Sequence, residues 1–451
     1  MKRDTRTRNQ VAAAWMAWGL LAGLLVAGCG YRAPLYSSYV PQVTDTTACP
    51  GVRAAYQPLA ELMRKDTGFG PTVGNTITLL PDGPQKLARL REDVRLARKS
   101  IYIDLYRFRV DSSGRILADL LREQSRSGTD VRVLLDYNAN EREQREALAG
   151  LLADSVTLAF SCPSEHRNHR KLMLLDGQTA YLGGRNVQDH YFWKWRDSDV
   201  RITGAAVADL AAVYMESQRR VAPELGPVDV AEDLESAARA DTMALENRFM
   251  DVTVQIVPDS PTDRILPVRN CYEWALNNAR SYFWFYNPYT PPPRSTIKAL
   301  KDAVARGVDV RWIVPADNDI TVEKWMGESL YRELLEAGVR IYEWQDAMMH
   351  AKQFMTDDYL MGVGSANMDN LSFFVHYEVE ALVYDEPATR HAARLFLSDL
   401  ETHCREITLG EVRRWSLLRR FRNWITRSLG GPYGWLEQEG PTAGRRPGSS
   451  S

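Results

Sequence analysis

The 451 residues, 45% hydrophobic and 25% charged, suit an ordinary globular chain with room for two or three domains or one large duplicated one. The formal charge is −2, and residues 1–28 hold four basic groups and one acid, so the remainder carries −5. That mildly acidic body argues against a nucleic-acid partner, whose binding rests on neutralising phosphates with Lys and Arg.

The amino terminus is basic and polar, then apolar from Val11 to Gly28. The segment ends Val26-Ala27-Gly28-Cys29, which resembles the lipobox of bacterial lipoprotein signals. That resemblance implies cleavage before Cys29 and lipidation of its thiol. Gly30, which follows, favours the outer membrane of a Gram-negative cell. The other reading is an uncleaved anchor, since 18 apolar residues just span a bilayer. Both place the body in the cell envelope, facing the periplasm. Cys49, Cys162, Cys271 and Cys404 form no C-x-x-C pair, so no zinc site is expected. Disulfides and buried thiols both remain open for them.

Residues 29–83 read as tether and lead-in. From Gln85, Leu87, Leu90, Val94 and Ala97 fall at helical spacing. Ile101–Tyr106 reads as a strand, Ile116–Ser125 as a helix, and Val131–Leu135 and Val156–Phe160 as strands. Lys171–Leu175, a turn at Asp176-Gly177 and Thr179–Leu182 follow. The order then repeats. Tyr272–Ala279 is a predicted helix, Tyr282–Tyr286 a strand, Ile297–Ala305 a helix, and Val310–Val314 and Val339–Tyr342 strands. Alternating strands and helices predict an α/β fold with a sheet covered on both faces. The predicted units are a signal over 1–28, first half 84–222, acidic helical linker 223–247, second half 248–403 and carboxyl end 404–451. That end carries six arginines between Glu411 and Leu429, opposite a stripe of Trp415, Leu418, Phe421, Ile425 and Leu429. Such a helix suits either a membrane surface or the protein's own body.

The repeat carries chemistry. His169, Lys171 and Asp176 form H-x-K-x-x-x-x-D, and His350, Lys352 and Asp357 form it again. Asn186 and Asn367 follow, then Asp197 and Glu378, and each residue lies 181 positions from its twin. One register for five polar residues indicates a duplicated unit with one half-site per copy. Residues two apart on a strand share a face, so each His projects with its Lys. Halves packed about a pseudo-twofold axis would bring both pairs into one pocket. Two imidazoles, two ammonium groups and two carboxamides suit a phosphodiester. The lysines and asparagines would hold non-bridging oxygens, one imidazole would attack phosphorus, and the other would serve as acid and base. A carboxylate at the far ring nitrogen would fix each tautomer, a role open to Asp197 and Glu378. Asp176 and Asp357, beyond the strand ends, would brace the turn or the lysine. No metal or other cofactor is expected, because lysines stand where a cation would act; a His/Asp metal site is the competing reading. Tyr191, Phe192, Trp193, Trp195 and Phe283–Tyr286 are aromatic candidates for the site or for the core.

These motifs resemble the phospholipase D superfamily, over about residues 84–403. NHRK, then GGRN and DHYF, is most similar to bacterial cardiolipin synthases. The resemblance implies a phospholipase D-like duplicated α/β/α sandwich and metal-free transfer of a phosphatidyl group through a phosphohistidine. It makes His169 the nucleophile and His350 the acid/base, with Asn186, Asn367, Asp197 and Glu378 in support. Leu371 and His376 depart from the usual D-x-R-S-F and N-x-E. The expectation is a membrane-anchored phosphatidyltransferase acting on membrane phospholipids, with phosphatidylglycerol as acceptor. Hydrolysis to phosphatidate, a metal-independent secreted nuclease and a non-enzymatic lipid-binding scaffold are the alternatives.

Overall fold

A computed structural model describes residues 48–153, 155–162, 166–231, 247–263 and 265–428. The signal, Cys29 and the tail from 429 lie outside them. The strands in chain order are β1 (Thr72–Leu79), β2 (Ser100–Leu105), β3 (Asp130–Leu135), β4 (Thr157–Phe160), β5 (Lys171–Leu175), β6 (Thr179–Gly183), β7 (Asp199–Thr203) and β8 (Arg248–Asp259). Then come β9 (Tyr282–Tyr286), β10 (Asp309–Pro315), β11 (Arg340–Trp344), β12 (Gln353–Thr356), β13 (Leu360–Gly364), β14 (Glu378–Tyr384) and β15 (Cys404–Ile407). Among the described residues they make one sheet, in the order β15-β11-β10-β9-β12-β13-β14-β8-β1-β7-β6-β5-β2-β3-β4. Read outward from the β8–β1 seam, the two arms repeat: β7 and β14, β6 and β13, β5 and β12, β2 and β9, β3 and β10, β4 and β11. This is the pseudo-twofold arrangement that the repeated motif requires.

β2 and β14 are buried at every position, which needs helices on both faces. β2–β3–β4 and β9–β10–β11 run parallel. Parallel neighbours need crossovers, and the helices Ser112–Arg126, Arg142–Leu152, Arg294–Ala305 and Thr321–Ala337 supply them. Arg142–Leu152 and Thr321–Ala337 were not assigned from sequence.

Two expectations are corrected. Part of the stretch expected as tether and lead-in is structural. A helix at Gln57–Thr67, ended by left-handed Gly68, buries Leu59, Ala60 and Met63, and β1 lies at the centre of the sheet. β1 was missed because Gly74, Asn75 and its threonines dilute the apolar pattern. Asn75 is nonetheless fully buried, its amide donating to the Thr72 and Val252 carbonyls. The described part of the predicted helical linker, 223–231, is not helical. The preceding helix ends at Val221, and the Gly226 carbonyl accepts from Arg132 and Gln218 instead. Cys49 and Cys271 are buried thiols in one core cluster. No helix among the described residues is long and apolar enough to cross a membrane.

Candidate active site

Each motif enters the sheet as an extended segment. His169 precedes β5, and His350 precedes β12. Alternation then sends His169 and Lys171 to one side and Arg170 to the other. Arg170, fully buried, pairs with Glu216 and donates to the Glu378 and Asp259 carbonyls, tying the first half to the second.

The halves cross at the histidines. The His169 amide donates to the Tyr377 carbonyl (3.0 Å), and the His350 amide donates to the Arg196 carbonyl (2.7 Å). One residue further along each accepting segment stands a carboxylate. His169 Nδ1 lies 2.8 Å from Glu378 Oε1, and His350 Nδ1 lies 2.8 Å from Asp197 Oδ2. Each histidine is therefore braced by the acid of the opposite repeat. The braces are themselves held: Ser365 donates to Glu378, and the Ser198 amide donates to Asp197. Ser365 and Gly184 are twins at the 181 spacing. A Cβ at Gly184 would stand 2.1 Å from Asp197 Oδ1, so glycine is what lets the shorter acid fit.

The lysines turn inward, Lys171 onto the His169 carbonyl and Lys352 onto the His350 carbonyl. Lys352 Nζ is also 2.9 Å from His350 Nδ1. Tyr106 packs edge-on to His169 (4.8 Å) and beneath Lys171 (5.1 Å). Tyr289 does the same for His350 (5.6 Å) and Lys352 (5.7 Å). Sequence reading passed over both tyrosines, because Tyr106 follows β2 and Tyr289 follows β9 and both look like strand-end aromatics. His376 was noted only as a departure; its ring lies 5.2 Å from that of His169, as that of its twin Trp195 lies 5.6 Å from that of His350.

Asn186 accepts from the Arg107 amide and donates to the Tyr191 hydroxyl; Asn367 keeps a buried carboxamide oxygen without a partner. Tyr191 sits on His350, whereas Phe283 and Phe285 belong to the core, and Trp193 is exposed. Asp176 and Asp357 do not touch the lysines. From left-handed turn positions they accept the amides of Arg98, Lys99 and Ser100, and of Arg280, Ser281 and Tyr282. They fix where β2 and β9 start.

None of His169, Lys171, His350 and Lys352 is more than 6% exposed. A surface hollow of about 800 Å³ lies elsewhere, between Gly51 and Arg390, and holds none of these residues. Burial pushes both imidazoles well below their ordinary range. Glu378 opposes this at His169, while Lys352 and Lys171 reinforce it at His350. Lys171 is also well lowered by burial, and Lys352 is pushed down to about 8. Burial works to raise Glu378, yet His169 and Lys171 hold it well below the usual carboxylate range. Asp197 is raised by burial against the pull of Lys352 and Arg185. Two lysine side chains converging beside two buried imidazoles make a setting suited to an anion.

Burial first and the lysines second disfavour a charged His350, and a tetrahedral oxyanion entering between the lysines opposes both. Tungstate binding at pH 7 is therefore expected to take up protons. The binding enthalpy measured in buffers of different ionisation heat reads this directly. Uptake should fall in His350→Asn; release of protons, or uptake unchanged by that substitution, contradicts an acid role for His350.

His169, His376 and Glu378 bring ligand atoms within 4.8 Å of one another, a donor set of the kind a borderline transition metal takes. Two of those donors already bond to each other, so a cation at that point displaces the proton between His169 and Glu378. The set therefore fits a competitor of the imidazole chemistry better than a resident cofactor.

Comparison with known proteins adds four relationships. The family described as "Cardiolipin synthase, PLD-like domain" matches residues 90–219 and 273–400. Cardiolipin synthase 2 of Staphylococcus epidermidis is 28% identical over 380 residues, covering 79% of this chain and 74% of that protein. The cardiolipin synthase of Oceanobacillus iheyensis is 31% identical over 349 residues, covering 73% and 70%. The crystal structure of Haemophilus influenzae phosphatidylserine synthase superimposes with a TM-score of 0.61 at 16% identity, covering 79% of this chain and 93% of that one, a likeness of fold alone.

Proposed function

Since the chain belongs to the PLD-like domain family of cardiolipin synthases, we propose that it joins a phosphatidyl group to the free hydroxyl of phosphatidylglycerol, through a phosphohistidine on His169. The coarse chemistry, phosphodiester transfer on phospholipids, comes with the family. The crossed His169–Glu378 and His350–Asp197 pairs carry the finer reading.

In the first step His169 Nε2 attacks phosphorus while its Nδ1 proton is held toward Glu378. The bond from phosphorus to the leaving glycerol oxygen breaks, and that oxygen takes its proton from His350. In the second step His350 removes the hydroxyl proton of the second phosphatidylglycerol, whose oxygen displaces His169 from phosphorus. Two phosphatidylglycerols become cardiolipin and glycerol, and both histidines return to their starting states. Lys171 and Lys352 compensate the charge that grows on the non-bridging oxygens, with Asn186 and Asn367 placed to donate beside them. The burial of both histidines supports transfer over hydrolysis, because it limits the water that competes for the intermediate.

We further read the body as tethered in the cell envelope by acylated Cys29, at the outer membrane, on the strength of the Val26–Cys29 pattern. One experiment tests the activity: pure protein is incubated with phosphatidylglycerol and the products are separated. Cardiolipin with equimolar glycerol is the expected result. Phosphatidate alone would make the protein a hydrolase, and no turnover would defeat the reading.

A further inference from the structure

The helix Leu417–Ser428 docks with its apparent faces reversed. It packs against Thr321–Ala337, but through its polar side. Arg419 forks onto Glu328 at 2.9 and 3.1 Å, Arg422 reaches the same carboxylate, and Asn423 is buried against it. Arg419 also lies over Trp415 and Arg422 over Trp325. The residues left facing outward are Leu417, Leu418, Phe421 and Trp424, at 79, 77, 56 and 61% exposure. A helix that spends Arg419 and Arg422 inward and presents four large apolar side chains outward has the wrong polarity for water.

The direction of the helix shows what this face serves. Trp415 meets Tyr331, Arg419 meets Glu328 and Arg422 meets Trp325, so the two helices run antiparallel. The apolar ridge therefore heads toward the amino end of Thr321–Ala337. There Ile320 and Val322 are exposed as well. Next to them Asp319 accepts the Tyr289 hydroxyl (2.7 Å), and Tyr289 packs on His350. The ridge thus leads to residues that wall the catalytic centre. Arg414 and Arg420 stay exposed beside it and supply positive charge for anionic headgroups.

We propose that this helix seats the catalytic centre on an anionic phospholipid bilayer, with Leu417, Leu418, Phe421 and Trp424 inserted among the acyl chains. The proposal rests on the reading above that the substrate is a membrane phospholipid, and it adds the surface by which the enzyme meets it. It also resolves the choice left open by the sequence: the helix packs on the body with one face and offers the membrane the other.

The test uses the full-length protein and a variant with Leu417→Ser, Leu418→Ser, Phe421→Ser and Trp424→Ser, which keeps the arginine anchors on Glu328. Turnover is measured on phosphatidylglycerol vesicles and on short-chain phosphatidylglycerol below its micelle point. Expected is a loss of about tenfold or more on vesicles, with monomer turnover unchanged. Unchanged vesicle turnover overturns the proposal. An equal loss on both substrates also overturns it, since the helix would then only support the fold. If the wild-type protein turns over neither substrate, the proposed function fails, yet insertion is still decided by fluorescence. Brominated phosphatidylglycerol vesicles should quench emission that is present in wild type and absent in Trp424→Phe. No such quenching, or self-association that the serine variant abolishes without quenching, means that a second copy or another segment covers the face, and it sinks the proposal.

Discussion

His169→Asn is expected to lower turnover of phosphatidylglycerol by about 10⁴-fold or more, about 5 kcal/mol of transition-state stabilisation, while the thermal midpoint moves little. Asparagine keeps a polar group in the closed space and leaves Glu378 its bond from Ser365, so loss of fold is not the route to loss of rate. What disappears is the imidazole that Glu378 holds at 2.8 Å, the group assigned to bond phosphorus. The companion variant His350→Asn gives the sharper readout. A phosphodiester with a nitrophenolate leaving group needs no proton to depart, so the first step survives without the acid. The second step still needs a base for the incoming alcohol. Radiolabelled phosphatidyl group should therefore accumulate on the protein in His350→Asn and be absent from His169→Asn. Label in the His169 variant, or label in neither variant, contradicts the assignment of nucleophile.

The second large effect tests the crossing of the halves. Glu378→Gln and Asp197→Asn are each expected to slow turnover by up to about 10⁴-fold, the loss seen when the carboxylate behind a catalytic imidazole is neutralised. Their kinetic signatures should differ, and in the opposite sense to their places in the sequence. Glu378 lies in the second repeat but braces His169, so its loss should suppress the nitrophenolate burst. Asp197 lies in the first repeat but braces His350, so its loss should leave the burst and slow the steady state. Burst amplitudes from rapid mixing separate the two. If Glu378→Gln keeps the burst and Asp197→Asn loses it, each acid serves its own repeat and the crossed geometry is not the working one.

Buried ionisable groups explain why these effects are large. An imidazole that loses its acid in this site does not regain a hydrogen bond from water, because the site is closed. The same closure makes the lysines strong: at low effective dielectric, their field at a phosphoryl oxygen is only weakly screened.

Much of this was legible in the chain itself. The 181-residue spacing exposed the duplication, because a site built from two copies must repeat its polar residues in one register. The alternation of Val-, Ile- and Tyr-rich runs with helical spacing revealed most of both repeats, since a sheet buried on both faces leaves its strands little choice of residue. Even the minor role of Asp176 and Asp357 could be read, because an acid past a strand end cannot share the face of the histidine. The tertiary structure alone decided the rest. Glu378 stands 209 positions from His169, and Asp197 stands 153 positions from His350. No local pattern encodes such pairing; it follows from two arms meeting about a seam. Thr72–Leu79 became a central strand because Arg248–Asp259 and Asp199–Thr203 flank it, not because its own pattern demanded it. The carboxyl-terminal helix turned Arg419 and Arg422 inward because Glu328, about ninety residues earlier, waits there as a buried acid. Periodicity fixes which residues share a face of a helix, but only the charge of the surface it meets decides which face is turned inward.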